Sequence, residues 1–299
     1  MTLTSRLLIA TVLAGLIATP ALAQTPAGDP AQAQQSAAQP PSDDDPDRDI
    51  NFSQPDFTLA ALPTTLRVPR YRSSFRVTHR FGRPLGDGDF GDLVEDLFGL
   101  DNGAGIGLEY RFGIFSGAQI GIHRTSIDKT IEFFGEYNLK AQRDGFPFGI
   151  TVMGSVEGTN NFNDEEDEGI ESSVSPAIGA LFSYEMGQHG ALYFEPFWVN
   201  NSNPRPDELV DDNDTVIIAL GARVRVRPTV YVVLEGAPRV NGYDPGVAHF
   251  SFGIEKRAGG HLFQLNFSNS FGTTLAQIAR GGFTNDDWYL GFNISRKFF

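Results

Sequence analysis

Cysteine is absent from the 299 residues, which excludes disulfides, thiolate metal centres, cysteine nucleophiles and lipid attachment at a cysteine. After residue 23 no apolar run reaches 18 residues, so no membrane-spanning helix is expected. Positive charge is scarce, with 23 Lys and Arg against 37 Asp and Glu. A net charge of −14 argues against nucleic-acid binding, which needs a basic footprint. Catalytic constellations are missing too: His79, His123, His189, His249 and His261 are scattered, and no local motif brings Ser, His and an acid together. Glu132 and Glu136 project to one side but lie about 13 Å apart at strand rise, too wide for a glycosidase pair. No enzymatic activity, cofactor or metal is therefore expected.

What the chain does have is alternation. Twelve stretches place apolar side chains on one face and polar ones on the other: 73–81, 105–112, 117–124, 130–140, 147–157, 174–185, 191–200, 215–227, 229–235, 247–255, 262–269 and 288–298. A transmembrane β-strand needs roughly 9–11 tilted residues with one face to lipid and one to a lumen. The connections alternate as well. Those after even-numbered strands are short, whereas 82–102, 158–172, 201–214, 236–246 and 270–287 are long, with 125–129 the one short external loop. The fold expected is all-β: a single up-and-down antiparallel transmembrane barrel of about twelve strands, with short periplasmic turns, longer external loops and both ends periplasmic. Phe112, Tyr137, Phe148, Tyr184 and Phe298 fall low and Phe81, Trp198 and Trp288 high, as interfacial girdles should. The terminal Phe299 shares parity with Lys297 rather than with Phe298, so the closing aromatic is offset by one residue.

Before the barrel (73–299) come three segments. Residues 1–23 read as a secretory signal, with Arg6 ending a basic start and Ala21-Leu22-Ala23 as the exit. Residues 24–51 form an acidic, Gln- and Pro-rich tail too poor in apolar side chains to fold. In residues 52–72, Phe57, Leu59, Leu62, Leu66 and Val68 alternate with Pro55, Pro63 and Pro69, which rule out a long helix or central strand. An extended lead-in packed at the periplasmic rim is expected, with a plug entering the lumen as the alternative.

Parity points Arg76, Arg80, Arg111, Lys140, Arg223, Arg225 and Arg227 inward, together with Glu109, Glu132, Glu136, Glu157, Glu185, Glu195, Glu235 and Glu255; His123 and His249 share that face. Near balance of charge predicts cross-strand ion pairs, Arg76 with Glu109 and Glu195 with Arg223 among them. The alternative is that Arg223, Arg225 and Arg227 form a basic track for an anionic solute. In the first external loop Phe90, Leu93, Val94, Leu97 and Phe98 repeat at helical spacing after Asp89, a suitable N-cap. A weaker helix is expected over 274–280. Either could contribute to a lid, or the first could rest on the wall. The run Asp164-Glu165-Glu166-Asp167-Glu168 and Asp211-Asp212-Asn213-Asp214 read as solvated loops.

Leu62-Pro63-Thr64-Thr65-Leu66, His79-Arg80-Phe81-Gly82-Arg83, Gly105-Ile106-Gly107-Leu108-Glu109-Tyr110, Ile120-Gly121-Ile122-His123-Arg124 and Phe292-Asn293-Ile294-Ser295-Arg296-Lys297 resemble a family of bacterial β-barrel proteins classed as a domain of unknown function. The resemblance implies a Gram-negative outer-membrane location and carries over no catalytic residue. Two functions fit. One is a narrow porin-like passive channel for small polar solutes; the other is a closed barrel serving as a structural or interaction scaffold. A barrel-embedded lipid-modifying enzyme is the remote third. Expected partners are outer-membrane lipid and lipopolysaccharide, the barrel assembly machinery through the C-terminal strand, and a small polar solute if the lumen is open.

Overall fold

The computed structural model describes residues 46–97, 99, 103–158, 174–203 and 213–299. The expected signal 1–23, most of the tail 24–51, Phe98 and the acidic run 164–168 lie outside the described residues. Thirteen strand segments form one antiparallel sheet: β1 (Ser73–Pro84), β2 (Ala104–Phe115), β3 (Ala118–Thr125), β4 (Ile131–Lys140), β5 (Gly149–Gly158), β6 (Val174–Glu185), β7 (Gly190–Val199), β8 (Thr215–Arg227), β9 (Val230–Ala237), β10 (Arg239–Asn241), β11 (His249–Ala258), β12 (His261–Ser268) and β13 (Tyr289–Lys297). Apart from β10, which pairs with β8, each strand pairs with the one before and after it, β9 passes to β11, and β1 pairs with β13. The sheet thus closes into a twelve-position barrel without free edges.

The extra segment has a simple cause. Pro238 cannot donate to a ladder, so the ninth wall strand breaks there, and the chain resumes as β10 beside Ile217 and Val216 of β8. Residues 239–241, read from sequence as loop, therefore prolong the wall.

Outward positions are exposed and apolar, among them Leu108, Tyr110, Ile122, Phe133, Phe194, Leu234 and Ile254. They are the lipid face. Inward positions divide into two arcs. Strands β11 to β13 and β1 to β3 contribute polar groups, whereas β4 to β9 also carry Phe134, Met153, Leu181, Tyr193, Phe197, Ile217 and Val233, buried in one hydrophobic cluster. The expectation that apolar side chains face lipid and charge faces the lumen holds as it stands for the first arc; in the second, apolar residues also point inward, beside Glu132, Glu136, Glu157, Glu195, Arg223 and Glu235. Apolar side chains can face inward there because something inside the barrel covers them.

Two short helices occur in the external connections. Helix α1 (Phe90–Glu95) begins at Asp89, whose carboxylate accepts the amides of Gly91 and Asp92 at 2.7 and 3.1 Å. Helix α2 (Leu275–Arg280) follows β12.

Candidate functional site

The lumen holds the chain's own N-terminal segment. Residues 53–65 are all buried, and residues 57–64 turn back on themselves: Thr58 bridges Pro63, the Leu59 amide donates to the Leu62 carbonyl at 2.7 Å, and the Thr64 amide to the Phe57 carbonyl at 2.9 Å. Proline at position 63 suits such a turn, which asks few ladder bonds of it. At the tip, Ala60, Ala61 and Leu62 present consecutive amides to one carboxylate. Glu235 Oε2 accepts them at 2.9, 3.1 and 3.1 Å, and Oε1 accepts Ala61 again at 2.9 Å.

The tip carbonyls meet donors from the polar arc. The Ala60 carbonyl accepts Arg76, Arg80 Nη2 at 3.2 Å and Asn293 Nδ2 at 3.0 Å, while the Leu59 carbonyl accepts Gln264 Nε2 at 3.1 Å. Lower down, Arg223 Nη2 donates to the Thr58 carbonyl at 2.6 Å, and Ser295 donates to Asp56 at 2.8 Å. Leu59 and Leu62 join the apolar cluster. The wall leaves room: a Cβ added to Gly221 would come within 2.3 Å of Leu59 Cδ1. The amides of Leu59 to Leu62 and Thr64 and the carbonyls of Phe57 to Ala60 and Leu62 thus find partners, as buried backbone groups require. Of the two placements weighed for residues 52–72, the lumen describes 53–65, whereas the stretch that follows lies at the periplasmic rim, where Arg67 donates to Asn138 and pairs with Asp144 at 2.8 Å.

The external end is filled by α2. Leu275, Ala276, Gln277, Ile278 and Ala279 are buried, and the helix packs against β6, β7, β8 and β11. Its first turn meets Glu132 and Glu157, which stand directly opposite each other on β4 and β5. Glu157 accepts the Thr274 hydroxyl at 3.1 Å and the Ala276 amide at 3.2 Å; Glu132 takes the Leu275 amide at 3.5 Å. Two carboxylates side by side repel, and the unpaired amides at a helix start are what offset that repulsion here. Arg280, at the other end of α2, pairs with Asp128 at 3.1 Å.

A hydrogen-bonded relay joins the two fillings. Ser270, on the connection leading to α2, lies 2.6 Å from His249 Nδ1, and His249 Nε2 lies 2.9 Å from Glu235 Oε1, the carboxylate that holds the plug. All three side chains are buried. Ser, His and an acid are therefore in hydrogen-bond reach after all, brought together from β9, β11 and the end of β12 rather than by a local motif. Glu235 is committed to three backbone amides, so the arrangement serves as a brace.

Residues 57–298 match a family described as a membrane bound beta barrel domain, DUF5777. The chain belongs to that family. Among solved structures it is similar to outer membrane protein Omp33 of Acinetobacter baumannii (11% identity, TM-score 0.41, covering 78% of this chain and 100% of that one). It is also similar to LpxR from Salmonella typhimurium (11%, 0.42, 76% and 99%) and to outer membrane phospholipase A from Escherichia coli (9%, 0.40, 77% and 93%). None of these likenesses carries an inference about activity. Comparison with curated proteins gives no match. As a member of this family the chain is a membrane-bound β-barrel.

The inward residues named from parity are brought together except at the periplasmic rim, where Lys140 and Arg227 are exposed and Glu185 and Arg225 only half-buried. Arg76, Arg80, Glu109, Arg111, His123, Glu132, Glu136, Glu195, Arg223, Glu235, His249 and Glu255 are buried in the lumen. Arg225 and Arg227 are not: Arg225 donates to the Pro228 carbonyl at the periplasmic turn, and Arg227 is exposed. No basic track forms, because only Arg223 lies above the rim. The expected pairs are also rearranged. Arg223 turns to Glu255 at 2.8 Å, Arg111 takes Glu109 and Glu136, and Arg76 is spent on the plug. Glu195 is left fully buried with neither carboxylate oxygen hydrogen-bonded. Nor is the lumen balanced in charge. The carboxylates of Asp56, Glu109, Glu132, Glu136, Glu157, Glu195, Glu235 and Glu255 are buried against the guanidiniums of Arg76, Arg80, Arg111 and Arg223, eight to four.

The lid residues are corrected outright. Helix α1 buries none of its residues, and Phe90, Val94 and Leu97 are exposed. Arg83 is the reason: on the outward face of β1, it donates to the Asp92 carbonyl at 2.8 Å and pairs with Asp96, tying α1 outside the wall. Gly99 then lies on Phe81, where an added Cβ would fall 3.3 Å from the Phe81 Cβ. Leu93 is half-buried there, and Phe98 lies outside the described residues.

Proposed function

We propose that this outer-membrane barrel is closed in its resting state and acts as a structural or interaction scaffold rather than as an open passive pore. One observation carries the reading: Glu235 takes three successive amides of the turn 60–62 in the middle of the lumen. A solute path would have to displace that turn, strand its buried polar groups and expose the Glu235 carboxylate. Each such loss costs about 1–3 kcal/mol, more for a charged group. The cap α2 favours the same conclusion from the other end.

Planar-bilayer recording of the refolded full chain is expected to give no unitary current above lipid background; stable unitary steps from the intact chain would remove the closed reading. A second reading, a passage that opens when the plug leaves, is favoured by the excess of buried carboxylates. A variant lacking residues 52–69 is expected to conduct, with cations carrying more current than anions.

A further inference from the structure

The outer wall is not uniform around its periplasmic edge. At most strand ends the lowest lipid-facing positions are Tyr137, Leu139, Phe148, Tyr184, Leu192 and Val226, the girdle chemistry expected at an interface. Across β11 to β13 the pattern changes. A groove of about 390 Å³ opens on the lipid face, lined by Ile254, Phe263, Leu265, Phe292 and Ile294. Lys256 stands at the lower edge of this groove, level with Phe263. One row further down, Arg296 pairs in register with His261.

Both cations point outward and are exposed, and among the described residues neither has a carboxylate within ion-pair reach. Arg296 Nη1 donates to His261 Nε2 at 2.8 Å, and its guanidinium lies over the Phe298 ring at 5.6 Å. These contacts fix the side chain and leave its other N–H donors free. A cation on the lipid face costs about 2–4 kcal/mol at the bilayer midplane and almost nothing at the interface. Lys256 and Arg296 therefore stand at headgroup depth, with a hydrocarbon groove above them.

We propose that this face binds one anionic phospholipid of the periplasmic leaflet. An acyl chain fills the groove, and the phosphate sits between Lys256 and Arg296. Neither half suffices: a zwitterionic lipid would fill the groove without neutralising the cations, and a free phosphate would meet the cations without filling the groove. The site is separate from the lumen and does not depend on whether the barrel conducts.

The test uses the full chain, delipidated in detergent and followed by native mass spectrometry with phosphatidylglycerol or phosphatidylcholine of identical acyl chains. Phosphatidylglycerol is expected to be retained about thirtyfold more strongly, the scale of two Lys or Arg contacts to an anionic surface. Inorganic phosphate at matched concentration should not displace it. Lys256→Gln with Arg296→Gln should bring the two lipids to parity, whereas Ile294→Trp, which blocks the groove, should lower both and leave their ratio unchanged. Lys140→Gln, at another strand end, should behave as the parent. Equal retention of the two lipids by the parent chain would overturn the proposal. So would an undiminished preference in the double variant, or a protein dimer occupying the face in place of lipid.

Discussion

The barrel is filled from both ends, and the two fillings are held in opposite ways. The plug is a turn whose backbone carries most of its contacts: three amides on Glu235, carbonyls on Arg76, Arg80, Asn293, Gln264 and Arg223. The cap is a short helix that satisfies part of its own backbone and is held mainly by buried Leu275, Ala276, Ile278 and Ala279, with two carboxylates taking amides of its first turn. Irregular backbone away from water must borrow partners from the wall, so the wall around the plug is charged. A helix borrows few, so the wall around the cap can be Leu181, Phe197 and Ile217.

Substitutions can break this contrast in graded steps. The largest loss is expected for Glu235→Ala, which strands three amides and His249. It should lower unfolding free energy by about 3–5 kcal/mol in urea titrations followed by tryptophan fluorescence, and should open residues 57–64 to protease. If protease cuts the cap connection instead, the division of labour between plug and cap is wrong. Ile278→Ala is expected to cost about 2–4 kcal/mol by leaving a cavity, with the cap connection cut first and the plug still protected. Glu157→Gln keeps the shape but weakens the grip on α2, an expected loss of about 1 kcal/mol confined to cleavage at 270–282. Phe90→Ser is the smallest, within about 0.5 kcal/mol of the parent, because α1 covers neither opening. A large loss there would restore α1 as a lid.

How much of this was legible depends on what each segment is surrounded by. Lipid on one face and a polar arc on the other produce strict alternation, so β1, β2 and β3 could be read with their parity. The apolar arc left a different mark in Leu181-Phe182, Tyr193-Phe194, Ile217-Ile218 and Val232-Val233, the paired apolar residues of strands covered on both faces. Alternation alone does not report what does the covering. Helix α1 was easy to find because its apolar and acidic residues fall on opposite sides at helical spacing, a pattern that does not report that neither side is buried. Helix α2 is buried almost all round, so it lacks a polar stripe and looked weaker although it fills the mouth. The plug was ambiguous because a turn held by remote side chains has no period at all. Ser270, His249 and Glu235 come from three separate places in the chain, and register plus strand tilt, not spacing, brings them together.

The plug's partners also fix an order of events. Residues 57–64 precede the first strand, yet Glu235, Gln264, Asn293 and Ser295 belong to the last third of the chain. Contacts that distant in sequence close late and slowly. The turn must wait, its amides in water, until β9, β12 and β13 exist to receive it. Completion of the final seam between β13 and β1 is therefore also the moment at which the interior becomes solid, and a chain truncated before β13 would be left with an N-terminal segment that has nowhere to go.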